Sequence, residues 1–114
     1  MALQDIREIA VPITLDKPRT LRFDLNAFAE LEEKFGSMDA AFKAMKKGSL
    51  KAARALLWAG LLHEDETLTE KRVGAMVGLQ SIGGIMETIA DAMNRAMPDG
   101  NQSEPLESGK SNPT

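Results

Sequence analysis

Ala55-Leu56-Leu57-Trp58-Ala59-Gly60-Leu61-Leu62 is the longest apolar run of the chain. It is far short of the roughly 20 residues that a membrane-spanning helix needs. Ser49 precedes the segment and is a good N-cap, so a helix from Leu50 to about Leu62 is expected. Over its second half that helix has no polar side, which is the pattern of the central helix of a bundle. Gly60 costs roughly 1 kcal/mol against Ala in an exposed helix. Close packing against a neighbour would account for it.

Moving towards the N-terminus, Gly36-Ser37 and Gly48-Ser49 repeat one signal: a Gly suited to the left-handed position past a helix end, then a Ser that caps the next helix. They delimit a helix from Leu25 to Phe35, with Phe28, Leu31 and Phe35 on one face and Asp24 or Asn26 as its cap. A second helix follows, with a stripe of Met38, Ala41, Phe42 and Met45. Before Leu25 the period changes to two. Ile9, Val11, Ile13 and Leu15 alternate with Ala10, Pro12, Thr14 and Asp16, and Leu21 and Phe23 alternate with Arg22 and Asp24. With the turn formers of Asp16-Lys17-Pro18-Arg19 between them, residues 7–24 read as a β-hairpin. Pro12 cannot donate to a ladder, which puts its strand at an edge or at a bulge.

Towards the C-terminus, His63–Thr67 is an acidic loop. Thr67-Leu68-Thr69-Glu70 has capping-box spacing, and a short helix from Glu70 to about Val77 is expected. The last helix runs from about Ile82 to Met97, with Ile82, Ile85, Met86, Ile89, Met93 and Met97 on one face and Glu87, Asp91 and Arg95 opposite. Residues 98–114 hold Pro, Gly, Ser and Asn with Leu106 as their one large apolar side chain, and are expected to be disordered. The fold class is α+β, mostly α: an N-terminal hairpin followed by a bundle of about five helices, in one folded domain over residues 1–97.

Composition limits the function classes. The chain has 114 residues and no Cys, so disulfides and thiolate metal sites are excluded. No charged segment followed by a long apolar run marks a signal peptide, and a cytosolic protein is expected. Net charge is −3 with a pI near 5.2, which disfavours generic nucleic-acid binding through counterion release. Asp99, Glu104 and Glu107 against Lys110 carry most of that charge, so removing the tail still leaves no basic domain. The core must be aliphatic and Met-rich, since Met numbers seven against four Phe, one Trp and no Tyr.

Nothing in the motifs supports catalysis, a metal or a cofactor. His63, the one His, sits where a cation favours a helix C-terminus. The spacing of Glu64, Asp65 and Glu66 fits no EF-hand loop. Gly78 and Gly83-Gly84 lack the Lys-Ser/Thr of a phosphate loop. Two surfaces are candidates for protein binding. Lys43, Lys46, Lys47, Lys51 and Arg54 form a basic run with no acidic residue among them, either a solvated face or a site for an acidic partner, the 64–66 loop of a second copy included. Met86, Met93 and Met97 form the Met-rich face of the last helix, either ordinary core or an adaptable contact surface.

The stretch Leu21-Arg22-Phe23-Asp24-Leu25-Asn26-Ala27-Phe28-Ala29-Glu30-Leu31-Glu32-Glu33-Lys34-Phe35-Gly36 closely resembles the opening motif of tail assembly chaperones of long-tailed bacteriophages. Leu56-Leu57-Trp58-Ala59-Gly60-Leu61 and Leu68-Thr69-Glu70-Lys71-Arg72-Val73-Gly74 resemble later motifs of that family in the same order, so the likeness spans about residues 21–97. The resemblance implies a small α+β protein of the host cytoplasm that coats the aggregation-prone tape measure protein until tail tube subunits polymerise around it. Such chaperones are generally absent from the finished particle, and in many phages a ribosomal frameshift extends them. The family supplies no catalytic residues. A homo-oligomer is compatible with this reading. The rival from another class is a regulator that uses the third and fourth helices as a DNA-binding helix-turn-helix. Against it, the second of those helices offers Lys71 and Arg72 after Glu64, Asp65, Glu66 and Glu70.

Residues 98–114 have too little apolar surface to offset the entropy of ordering them. Truncation after Met97 is expected to leave the melting temperature nearly unchanged; a large drop in a thermal scan would show that the tail docks.

Overall fold

The computed structural model describes residues 10–96. Arg7 to Ile9 of the expected hairpin, Met97 and the tail 98–114 lie outside them. Strands β1 (Ala10–Thr14) and β2 (Pro18–Arg22) pair antiparallel, with Val11 opposite Leu21 and Ile13 opposite Arg19. The period-two pattern sorts the faces: Val11, Ile13, Leu21 and Phe23 are buried, while Pro12 and Thr14 are exposed. In the turn, the Arg19 guanidinium donates to both Asp16 carboxylate oxygens, at 2.8 and 3.0 Å. Those hydrogen bonds hold the Asp16 carboxyl below its ordinary value of 3.8.

Pro12 is accommodated without a bulge. Its partner across the ladder is Thr20. The Thr20 N–H donates to Glu64 Oε2 at 2.9 Å, and the Thr20 carbonyl accepts from His63 Nε2, also at 2.9 Å. Both backbone groups of Thr20 therefore point away from β1, so Pro12–Thr20 is a non-hydrogen-bonded pair of the antiparallel pattern. An N–H at Pro12 would have had no partner on β2 to meet.

Among the described residues, five α-helices and one 3-10 turn follow: α1 (Leu25–Phe35), α2 (Met38–Lys46), α3 (Leu50–Leu61), α4 (Glu70–Gly74), the 3-10 turn Leu79–Ser81, and α5 (Ile82–Ala96). Asp24, Ser37 and Ser49 cap the first three, their side chains accepting from the N–H groups of Ala27, Ala40 and Ala52. Gly36 and Gly48 take φ of 91° and 100°, the left-handed conformation that lets the chain leave one helix and enter the next.

Two local expectations are corrected. Thr69, not Thr67, caps α4, accepting from the Arg72 N–H, while Thr67 is held by the Asp65 carboxylate. Helix α4 also stops at Gly74 and does not reach Val77. Met76 and Val77 donate three residues back, to Val73 and Gly74, so the chain tightens into turns before Gly78.

Helix α3 is the centre. It packs against β2 and against all four other α-helices, and Ala52, Ala53, Ala55, Leu56, Leu57, Ala59, Gly60 and Leu61 are buried on it. Trp58, in the middle of that apolar stretch, is not among them. It is half-buried at the edge of the core. The hairpin crosses α3 at Gly60, where a Cβ would stand 2.9 Å from Leu21 Cδ2 and 3.1 Å from Phe23 Cζ. Leu21 and Phe23 are themselves 0% and 2% exposed, so neither can swing aside into solvent. From Phe23 the chain enters α1, and the ring of Phe23 stacks on Phe28 with centroids 6.2 Å apart.

Gly60→Ala sets helix propensity, worth up to about 1 kcal/mol in favour of Ala, against overpacking of about 1–3 kcal/mol. The contact distances give the second the larger weight, so Gly60→Ala is expected to destabilise. Gly83→Ala on α5, where a Cβ meets nothing within 4 Å, is expected to be neutral or stabilising. Urea denaturation of the two variants checks the pair.

Candidate protein-binding surface

The basic run does not form one free stripe. Lys43, Lys46, Lys47 and Lys51 are exposed, but Lys43 pairs with Asp39 at 3.2 Å and Lys46 lies 5.3 Å over the Phe42 ring. Arg54 turns towards α4, its Nε 3.8 Å from Glu70 Oε1. Glu70 is shared: its other oxygen meets Lys34 Nζ of α1 at 2.6 Å. Lys34 in turn lies 5.1 Å over the Trp58 ring. One carboxylate on α4 thus ties together α1 and α3. The break at Gly48 leaves Lys43 and Lys46 on α2 and Lys51 on α3, with Lys47 at the corner between them.

The Met-rich face of α5 is core along most of its length. Ile85, Ile89, Ala92 and Met93 are buried, Met93 completely, so Met93 is corrected from a candidate contact to a packing residue. Met86 is half-buried and packs against the same cluster. Met97 lies outside the described residues. A small core needs adaptable filler, and thioether side chains supply it here.

Uncovered apolar surface lies elsewhere. An open trough of about 360 Å³ runs between α3, α4, the turns after it and the start of α5. Leu57, Val77, Ile82 and Ile85 line it, with Leu50 at 52% and Leu79 at 74% exposure. Among the described residues, Arg54 and Lys71 are the charged residues of its wall, and no carboxylate lines it. Gly74 shapes it. The Arg54 stem lies across Gly74, where a Cβ would meet Arg54 Cδ at 3.1 Å. Leu25 is the other large exposed apolar side chain among the described residues, at 81%.

The acidic loop 63–67 does structural work. His63 and Glu64 grip the backbone of Thr20, and Glu64 also accepts from the Thr20 hydroxyl at 2.8 Å and faces Arg19 at 3.7 Å. The Asp65 carboxyl, bonded by the Thr67 hydroxyl and N–H, is held below the ordinary carboxylate range. No group of three or more His, Asp or Glu side chains among the described residues is placed to hold a metal ion, and no described helix is long and apolar enough to cross a membrane. The α3–α4 pair departs from helix-turn-helix dimensions. Residues 62–69 separate the helices, against a turn of about 3–4 residues in that motif, and α4 has five residues.

No protein-family model, curated protein or solved structure matches the chain.

Trp58 was not legible as an edge residue, although its indole N–H needs a partner and so suits a boundary. It donates to the Leu68 carbonyl at 2.9 Å, which pins the loop before α4 onto α3. Trp58→Phe is expected to cost about 1–2 kcal/mol by leaving that part-buried carbonyl unpaired. Trp58→Ala should cost about 3 kcal/mol, the lower end for a large aromatic. Thermal denaturation separates the two, and an unchanged melting temperature in Trp58→Phe would mean the hydrogen bond is immaterial.

Proposed function

We propose that this chain is a tail assembly chaperone of a long-tailed bacteriophage, which binds the tape measure protein in the host cytoplasm before tail tube subunits close around it and is not retained in the virion. The three motifs between residues 21 and 74 support this reading, in family order. The observation that carries it physically is the open apolar trough beside two exposed leucines, Leu50 and Leu79. A soluble body that leaves aliphatic surface uncovered is suited to covering the apolar surface of a client.

With Met93 inside the core, the client surface moves from the far end of α5 to the trough at its start. Met86 and Met93 then pack the core, and the lysines of α2 do not line the trough. Binding driven by apolar burial is not screened by salt, whereas exposed charge pairs are screened beyond about 3 Å at 1 M.

Co-expression with the tape measure protein encoded in the same genome is expected to keep that protein in the soluble fraction and to copurify it with this chain. The complex is expected to survive about 1 M salt, and to be weakened more by Leu79→Glu than by Lys46→Glu with Lys47→Glu. A tape measure protein that stays insoluble and uncaptured would overturn the reading.

A further inference from the structure

We infer that the trough between α3, α4 and α5 receives an amphipathic segment of aliphatic residues flanked by carboxylates. This deepens the chaperone reading and rests on it for the identity of the client, not for the chemistry of the groove.

The floor is aliphatic. Leu57 and Ile85 are buried beneath it, Val77 and Ile82 are half-buried, and none presents a polar atom from its side chain. Apolar knobs, not polar ones, suit a trough of about 360 Å³ lined by such side chains. Leu50 and Leu79 stand at its edges with half or more of their surface in solvent, where an incoming side chain covers them.

The charge of the wall selects the flank. Arg54 and Lys71 both line the trough, and among the described residues no carboxylate does. Lys71 is exposed and makes no ion pair among the described residues. Arg54 has Glu70 nearby, but at 3.8 Å from Nε and outside hydrogen-bond distance, and its Nε has no hydrogen-bond partner among the described residues. Glu70 is meanwhile committed to Lys34 at 2.6 Å. Lys71 is therefore left without a counter-charge among the described residues, and Arg54 has only a shared and distant one, beside an apolar floor. A carboxylate arriving with an aliphatic segment meets both requirements, while a basic segment is repelled.

The test uses the full chain and two synthetic helical peptides of about five turns. One carries Leu on a single face with Glu on its flanks; the other is identical except for Lys in place of each Glu. Titration followed by amide chemical shifts is expected to move Val77, Leu79 and Ile82 with the acidic peptide and to give at least about tenfold weaker binding with the basic one, a difference of about 1.4 kcal/mol. Leu79→Glu and Lys71→Glu, both at exposed positions and checked for folding by circular dichroism, are each expected to weaken the acidic peptide about tenfold or more. Equal binding of the two peptides, or shifts confined to another face, overturns the inference. So does tighter binding by a chain truncated after Met97, which would assign the groove to its own tail with Leu106 between Glu104 and Glu107. Self-association abolished by Leu79→Glu in sedimentation equilibrium would assign it to a second copy instead. If the tape measure protein binds wild type and Leu79→Glu equally, the groove inference fails while the chaperone reading stands. If the acidic peptide binds the groove while the tape measure protein is not captured, the reverse holds.

Discussion

At Gly60 the hairpin and the central helix come as close as a backbone and two large side chains can. Leu21 and Phe23 occupy the space that a Cβ would fill. Much of the rest is arranged by that approach. It sets β2 across α3, and Phe23, one residue before the cap Asp24, then fixes where α1 begins. Just past the end of α3, His63 and Glu64 reach Thr20 on the same strand. The hairpin is therefore held to one helix by a buried apolar contact and, a turn further on, by polar contacts at the surface. A two-stranded sheet is marginal by itself; here its apolar face is covered and part of its edge is bonded by side chains.

What was legible in the sequence acts over three or four residues. Asp24, Ser37 and Ser49 cap helices by bonds to N–H groups three positions on, and Gly36 and Gly48 need only their own φ, so the first three helices could be read from local signals. Alternation likewise sorted the two faces of the hairpin. The period of α5 gave the helix and its apolar side. Periodicity does not say whether such a side meets the core or a partner, and so Met93 could not be placed until its surroundings were known. The all-apolar stretch of α3 identified the central helix but not the residue at its border. The clasp on Thr20 joins positions 43 and 44 apart in sequence, and no local pattern marks it. The brevity of α4 was equally hidden, because Gly74 and Ala75 are compatible with a continuing helix or a tight turn.

Charge follows a similar division between what is near and what is distant. The run Lys43 to Arg54 reads as one basic feature on paper. In space, local acids and rings occupy part of it, Asp39 for Lys43 and Phe42 for Lys46, and Arg54 turns towards Glu70 of α4. Exposed pairs of this kind contribute little to stability. Their effect is on where positive charge remains available, and it leaves Lys71, a residue outside the run, as the accessible cation of the trough.

The trough exists because α4 is short. A five-residue helix covers α3 only around Val73, which is fully buried, and the chain then needs turns and a 3-10 segment to reach α5. A longer helix over residues 70–77 could have laid Val77 and its neighbours flat across Leu57 and closed the gap. Instead Gly74 lets the Arg54 stem lie over the end of α4, Leu79 is left 74% exposed, and Ile82 is only half covered. Leaving aliphatic surface in water gains nothing for the isolated chain. The fully buried part of the core, from Leu21 through Leu56 and Leu61 to Ile89 and Met93, is complete without it. Surface that the core does not need, shaped by a glycine and bordered by two cations, is where a partner gains most from binding, since its aliphatic side chains finish a cover that the fold itself leaves open.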